Sequence, residues 1–571
     1  AAAERFLEGW AGDEVATMRD SLADPPATFP DDFAALVDGL RIAADVFEVG
    51  DVEVDGDTGT VRFDAMLTLA GLGDWSYEGR LDLTRRDDQW LVAWSPAALH
   101  PSLQPGRRLV ASRERLPRAA ILGVGRQPLV TDRAAVTIGI EPRRATDIEQ
   151  VKLVLNEQLG VDPLIVDREL RRPGVQPDHF VPIVTVRRER YDQVRPVVRP
   201  VPGLLFRETT ARLPPVDGLA AHVLGRTGEI TAEQLESLGD EYVVGDVVGQ
   251  TGLEAAFERE LAGRPAGQVR IEDAAGTVVE VLQEFPGEAP APVTTTLDTV
   301  VQNTADKALA DVAQPAAMVV LRHDGTVAAV ASRPLSEDFN RALGGSYPPG
   351  STFKVVTAAA LLANGTTPET PLTCDTTINV GGRNFRNFEG DASGSVPFEE
   401  AFVQSCNTAI IGAATGLPDG ALTTAAETFG FNADYTVGLT TLGGSFPEAG
   451  DEVEEAASAI GQGRVEASPV HLASMAAAVA SGRWAPPVLL PDLSPPDPSL
   501  ARDLDPAAAA TLLTFMEAVV DRGTGTAAQV AGITVAGKTG TAEFGEGDPP
   551  PTHALFIGFD ERFAVAVVVE G

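Results

Sequence analysis

Two proline-bearing connectors, His100-Pro101-Ser102-Leu103-Gln104-Pro105-Gly106 and Pro286 to Pro292, cut this 571-residue chain into three lengths, so each length has to close a core of its own. A chain this long exceeds what one hydrophobic core sustains, and the division predicts domains at 1–105, 106–285 and 286–571. Hydrophobic residues make up 44%, enough to fill such cores. The 42 prolines and 56 glycines then read as turns and connectors, not as disorder throughout.

The first length opens on an amphipathic stretch carrying Phe6, Leu7 and Trp10 and continues with period-two runs. Val61, Phe63, Ala65, Leu67 and Leu69 share one face, and Trp75, Tyr77, Leu81 and Leu83 repeat the pattern. This predicts a small α+β domain with an antiparallel sheet, a spacer or docking module without a titratable cluster. The second length predicts strands at Val136–Ile140 and Val181–Val186, and one helix from Gly252 to Gly263 with Leu253, Ala256, Phe257 and Leu261 on its apolar stripe. In the third, strands at Met318–Leu321 and Val327–Ala331 flank the turn His323-Asp324-Gly325, and Ala554–Phe559 and Phe563–Val569 close the chain. Helices are expected at Thr352–Ala363, Phe398–Ala414, Pro469–Ala480 and Ala507–Val520, giving an α/β layered domain whose first and last strands pair antiparallel.

The net charge of −38 argues against a nucleic-acid partner, because phosphate binding is driven by clustered Lys and Arg, and it disfavours adsorption to anionic lipid. The six histidines are scattered, so neither a metal site nor a Ser-His-Asp triad has sequence support, and no cofactor is expected. The two cysteines cannot form a disulfide framework; Cys406 reads as a packed thiol, and whether it pairs with Cys374 stays open. There is no apolar run of the ~18 residues needed to cross a bilayer. The chain begins abruptly in a helical pattern, as a cytoplasmic protein does, or an exported one stripped of its anchor.

Chemistry concentrates on lysine. Only four occur, Lys152, Lys307, Lys354 and Lys538, among 44 basic residues. Arginine fills nearly every place where a fixed charge suffices, which marks the retained lysines as places where the amine matters: an amine can lose its proton near neutral pH when desolvated, and a guanidinium cannot. Lys354 ends Ser351-Thr352-Phe353-Lys354, just after Pro348-Pro349-Gly350, at the start of an apolar helix that stops at Asn364-Gly365. Three residues apart, Ser351 and Lys354 share a helix face, as a nucleophile and its base require. The same pair is also what an N-cap serine beside a snorkelling lysine looks like. Ser405-Cys406-Asn407 sets two polar residues into an otherwise apolar helix. Lys538-Thr539-Gly540-Thr541 is expected on a short edge strand, Ile533–Ala536, ended by Gly537, where a glycine lets a substrate peptide approach; a cation and two hydroxyls there suit a carboxylate, although a plain turn would read alike.

Ser-x-x-Lys, Ser-x-Asn and Lys-Thr-Gly in this order resemble the signature of penicillin-binding proteins and serine β-lactamases. Asn340-Arg341-Ala342 through Lys354, Gly461-Gln462-Gly463 followed by Ser468-Pro469, Arg522-Gly523-Thr524-Gly525, and Gly537 to Glu543 all look like penicillin-binding transpeptidase motifs. Ala221-His222-Val223-Leu224-Gly225 and Gly249 to Glu254 resemble the pedestal domain of class B members, and Trp90 to Gly106 the nuclear-transport-factor-like N-terminal domain of the MecA-type subgroup. The family's Arg-Gly-x-Ile-x-Asp-Arg pattern appears instead as Arg118-Ala119-Ala120-Ile121-Leu122-Gly123-Val124, which puts the local contacts in doubt.

The resemblance implies a multidomain α+β protein: a nuclear-transport-factor-like domain, a β-rich pedestal or dimerisation-type domain, and a penicillin-binding, β-lactamase-like transpeptidase domain. It implies a peptidoglycan D,D-transpeptidase acting on stem peptides ending in D-Ala-D-Ala and acylated by β-lactams. Ser351 would attack, Lys354 would take its proton, and backbone N–H groups of Ser351 and Thr541 would form the oxyanion hole. Ser405 would relay a proton, Asn407 would bind the substrate amide, and Lys538, Thr539, Gly540 and Thr541 would hold the carboxylate end. D,D-carboxypeptidase, β-lactamase, or a silent scaffold or β-lactam sensor are the alternatives. The implied location is the outer face of the cytoplasmic membrane, behind a helix or lipid anchor outside this sequence; a membrane-embedded glycosyltransferase of the elongation or division machinery is an implied partner. The alanine- and arginine-rich composition suggests an actinomycete. The loop Glu543–Thr552 is expected to border the substrate groove.

Overall fold

The computed structural model describes residues 1–387, 392–545 and 550–571. Its chain folds into two compact units, the first made of residues 1–119, 227–250 and 257–292, the second of 120–226, 251–256 and 293–571.

In the first unit, three helices (Ala2–Ala11, Val15–Asp20, Phe29–Leu40) cover a four-stranded antiparallel meander of Ile42–Asp55, Thr58–Leu69, Gly73–Arg86 and Gln89–Val92. The alternation read from the sequence places Val61, Phe63, Ala65, Leu67, Leu69, Trp75 and Leu81 in one core with Phe6, Leu7 and Trp10. A second sheet, Arg108–Glu114 with Ala266–Glu272 and Val278–Phe285, contributes Leu109, Val269 and Ile271 to that same core. Buried charge here is met by opposite charge in two clusters. Arg113 and Arg115 both grip Asp246, with closest contacts of 2.8 Å, and Arg118 meets Glu258 at 2.7 Å. Burial pushes the Asp246 carboxyl up, but the two guanidinium groups and the Val243 N–H outweigh it and hold the group below its ordinary value.

The helix expected over Gly252–Gly263 is two short helices, Gly252–Ala256 and Glu258–Ala262, because Phe257 leaves helical geometry between them. In the second unit, Gly225 adopts φ +78°, and a Cβ there would lie 1.8 Å from the Thr251 carbonyl oxygen, so only glycine allows the segment before Thr227 to meet the one beginning at Thr251. The departing segment around Arg118 still supplies a strand, Ile121–Leu122, parallel to Val293–Thr294 and antiparallel to Pro128–Ile140. Pro128–Ile140 also pairs with Val181–Arg187 and Leu204–Leu213, over a core closed by helices Ile148–Leu159, Pro163–Leu170 and Arg188–Val198.

The rest of this unit is built on a five-stranded antiparallel sheet ordered Val327–Arg333, Ala316–Arg322, Phe563–Val569, Thr552–Phe559, Ala536–Glu543. First and last strands of the domain do pair antiparallel, Ala316 opposite Val569 through Arg322 opposite Phe563. Helix Thr299–Ala308 packs on the face bearing Ala316, Met318 and Val320. The helix Pro469–Ser481, buried along most of its length, packs against three of the strands. This arrangement leaves Ala536–Glu543 as an outer strand.

Candidate active site

Pro349 has no N–H to donate to a preceding turn, and Gly350 takes φ +51°, so the chain enters a 3-10 turn, Gly350–Phe353, before the α-helix Lys354–Ala363. Ser351 therefore lies on the tight turn that the sequence assigned to the helix. Gly350 has no room for a side chain, since a Cβ would sit 2.5 Å from the Thr541 carbonyl oxygen. Its N–H donates to Gly461 O at 2.9 Å. The serine turn is thereby held between the outer strand and the Gly461-Gln462-Gly463 segment. The other motifs also find structural roles: Asn340 caps Arg341–Gly344, and Ser468 caps the buried helix Pro469–Ser481.

The expected helix Phe398–Ala414 is interrupted. It forms as Phe398–Val403 and Asn407–Ala414, with Ser405 at φ +57°, a left-handed conformation uncommon for a residue with a Cβ. The break resolves the polar residues in an apolar run: Ser405 and Asn407 flank a kink that turns both toward Lys354. Cys406, read from sequence as a packed thiol, is disulfide-bonded to Cys374, joining the middle of the Ser-x-Asn segment to strand Pro371–Cys374. The pairing stayed open in the sequence because a 32-residue separation says nothing about proximity. The edge strand expected to bear Lys538 is present, but its bounds lie later: it runs Ala536–Glu543, and Gly537 sits inside it instead of ending it, under the Phe556 ring.

These elements bring the predicted groups together. Lys354, fully buried, has its Nζ 3.0 Å from Ser351 Oγ, 2.7 Å from the Ser405 carbonyl oxygen, 3.1 Å from Ser405 Oγ and 2.6 Å from Asn407 Oδ1. Two of the four partners, the carbonyl and the amide oxygen, can only accept. A neutral amine donating its two protons to them keeps its lone pair for the Ser351 hydroxyl. Burial and then the neighbouring Lys538 charge push the Lys354 amine well below its ordinary value. Lys538, also buried, donates to Ser405 Oγ and to Thr539 O, each at 3.0 Å, and lies 5.9 Å from the Phe402 ring centroid. Burial lowers it to about 7. Ser405 Oγ thus bridges the two amines. Among the described residues, no hydrogen bond from these lysines reaches a carboxylate, and Ser351 Oγ is met by Lys354, not by a histidine.

Thr539 and Thr541, two apart on the outer strand, share a face. Three further groups touch the site. Thr524 Oγ1 lies 2.6 Å from Thr539 Oγ1, the Arg386 carbonyl accepts from Asn407 Nδ2 at 3.0 Å, and the Phe402 ring lies under Lys538. Thr524 lay in a motif noted from sequence without a role; Arg386 contributes a backbone atom, which carries no sequence signal. Of the loop expected to border the groove, residues 546–549 lie outside the described ones; at its base Phe544 stacks on His553.

A serine and a buried amine at hydrogen-bond distance, bridged by a second serine to an outer-strand lysine, define a serine–lysine active-site fold. Comparison with known proteins narrows this. The family model for the penicillin binding protein transpeptidase domain matches residues 300–571, that for the penicillin-binding protein dimerisation domain 114–294, and that for the NTF2-like N-terminal transpeptidase domain 1–107. The chain belongs to the class B penicillin-binding proteins, with these three domains in order. It is 38% identical over 263 residues to the peptidoglycan D,D-transpeptidase PbpA of Mycolicibacterium smegmatis, a match covering 42% of this chain and 52%, about half, of that relative. It is 25% identical to penicillin-binding protein 3 of Bacillus subtilis over 87% of this chain and 79% of the other. The fold is shared with the solved complex of PBP2 and MreC from Helicobacter pylori, at TM-score 0.59 and 19% identity over 81% of this chain and 95% of that one.

Proposed function

We propose that this chain is a peptidoglycan D,D-transpeptidase, dividing as 1–105, 106–285 and 286–571, with all catalytic groups in the last part. The observation that carries the reading is Lys354, a buried amine without a carboxylate partner, 3.0 Å from Ser351 Oγ. Ser351 Oγ attacks the carbonyl of the penultimate D-Ala as its proton passes to Lys354 Nζ. The backbone N–H groups of Ser351 and Thr541 hold the oxyanion, a reading supported by the close packing of Gly350 against Thr541. As the carbon–nitrogen bond breaks, Ser405 passes a proton to the leaving amine, resupplied from the lysine pair it bridges. Asn407 binds the substrate amide. Lys538 attracts the terminal carboxylate, Thr539 and Thr541 hydrogen-bond it, and Gly540 keeps the strand close to the serine turn. An amine of a second stem peptide then attacks the acyl-enzyme, forming the cross-link and freeing Ser351.

Among the described residues no strand pairs with the second edge of the outer strand, which supports a substrate peptide lying alongside it. β-Lactams would acylate the same serine. A peptidoglycan substrate places the site outside the cytoplasmic membrane; among the described residues no helix is long and apolar enough to cross one, and an anchor lying elsewhere is part of the proposal. A membrane-embedded glycosyltransferase partner is likewise proposed. Intact-mass analysis after incubation with benzylpenicillin tests the reading: one adduct, mapped to Ser351 and persisting for many minutes, is expected. Rapid turnover of penicillin, or an adduct elsewhere, would overturn it.

A further inference from the structure

The segment Arg522-Gly523-Thr524-Gly525 ends the helix Pro506–Arg522, and the mechanism above makes no use of it. It is nevertheless held firmly. Arg522 forms ion pairs with Glu399 and Glu400 in the first turn of the helix leading to Ser405. Gly523 lies against the Val403 carbonyl, where a Cβ would come within 2.6 Å of the oxygen. The N–H groups of Gly523 and Gly525 both donate to the Val519 carbonyl, at 3.1 and 2.9 Å. These contacts fix the backbone on both sides of Thr524, whose side chain is exposed to solvent and places its hydroxyl 2.6 Å from that of Thr539.

A hydroxyl has one proton to give. In the hydrogen bond between Thr524 and Thr539 either oxygen can donate while the groove is empty. Once a carboxylate sits at Thr539, only one direction uses both protons: Thr524 donates to Thr539, and Thr539 donates to the carboxylate. The reverse direction would spend the Thr539 proton on Thr524 and turn an oxygen lone pair toward the anion. We propose that Thr524 is a positioning residue for the carboxylate subsite, its hydroxyl directing the Thr539 proton toward the terminal carboxylate of the stem peptide or the ring carboxylate of a β-lactam. The inference deepens the acyl-transfer reading and rests on it. Chained hydroxyls also polarise each other, so the hydrogen bond to the anion is stronger than a lone threonine would make.

The test compares Thr524→Val, which keeps the shape and removes the hydroxyl, with Thr524→Ser, which restores it. Each is measured for the non-covalent binding constant and the limiting acylation rate with benzylpenicillin and with its methyl ester, whose carboxylate charge is blocked. Thr524→Val should weaken benzylpenicillin binding roughly tenfold while leaving the limiting rate within about twofold. Thr524→Ser should recover most of the loss, and the ester should react alike with wild type and Thr524→Val. In a Thr539→Val background, Thr524→Val should add nothing further. Normal benzylpenicillin binding by Thr524→Val, or equal losses with acid and ester, would overturn the proposal while leaving the acyl-transfer reading standing. Failure of the wild type to react with either probe would overturn that reading and this one with it.

Discussion

Lys152 and Lys354 are the same residue type treated in opposite ways. Lys152, on helix Ile148–Leu159, meets Glu149 and Asp167, each at 2.8 Å, and those two hydrogen bonds raise its affinity for a proton. Lys354 is buried with two hydroxyls, a carbonyl and an amide, next to a second amine, and its proton affinity falls. The Arg113, Arg115 and Asp246 cluster follows the first pattern. Where the chain needs a charge kept, a carboxylate stands beside it; where it needs a proton to come and go, the carboxylate is withheld. Desolvation that is only a cost in the first setting becomes the source of basicity at neutral pH in the second.

The contrast breaks most sharply at Lys354. Lys354→Arg keeps the positive charge but cannot accept the Ser351 proton, so second-order acylation by benzylpenicillin should fall by at least ~10²–10⁴-fold, the usual cost of a lost general base. A variant that acylates normally would show that position 354 needs only charge. The reverse perturbation comes next in size. Asp246→Ala leaves two guanidinium groups facing each other and should cost about 3 kcal/mol of stability, seen as a lower denaturation midpoint, with the acylation rate of the folded protein unchanged. An altered rate would show that the cluster supports the chemistry as well as the fold.

Both patterns rest on elements that were only partly legible in the sequence. Period-two alternation located Val61–Leu69 and the turn at His323-Asp324-Gly325 because both depend on neighbours in sequence. The kink at Ser405 did not show, because the apolar run from Phe398 to Ala414 is compatible with one helix until tertiary contacts with Lys354 and Cys374 compete. Phe257 and the bounds of the outer strand were misjudged for a related reason: local propensity gave no hint that Gly537 continues a strand, which its pairing with Gly558 on the neighbouring strand decides. The side chains that meet around Lys354 stood out in the sequence because their chemistry is unusual in this chain. Thr524 and the Arg386 carbonyl were not, since neither a surface threonine nor a backbone oxygen stands out until a distance is known.

Lys538 sharpens the comparison at a smaller scale. With its value lowered to about 7, the neutral form gains as pH rises through that point, and the attraction for a carboxylate is lost. Acylation by benzylpenicillin should therefore decline on the alkaline side of about 7, whereas the loss of Lys354 basicity lies on the acid side. Lys538→Arg should acylate roughly tenfold more slowly at neutral pH but retain its rate at higher pH, because a guanidinium stays charged. A wild-type profile that stays flat above pH 8 would place the working charge elsewhere. Smallest of all, Lys152→Arg keeps a charge beside Glu149 and Asp167 and should leave the midpoint of a denaturant titration unchanged, with no effect on acylation.

The protonation state of Lys354 in the resting protein can be read directly, because four lysines give only four Nζ signals. In protein labelled with nitrogen-15 at lysine Nζ, spectra recorded across pH 5 to 9 and assigned by single Lys→Arg variants should show Lys152 as ammonium throughout. The Lys354 signal should be that of a neutral amine at pH 7 and should gain its proton only on acidification. A Lys354 signal that remains ammonium up to pH 8 would contradict the central claim that burial beside Lys538, without a carboxylate, makes this lysine the base for Ser351.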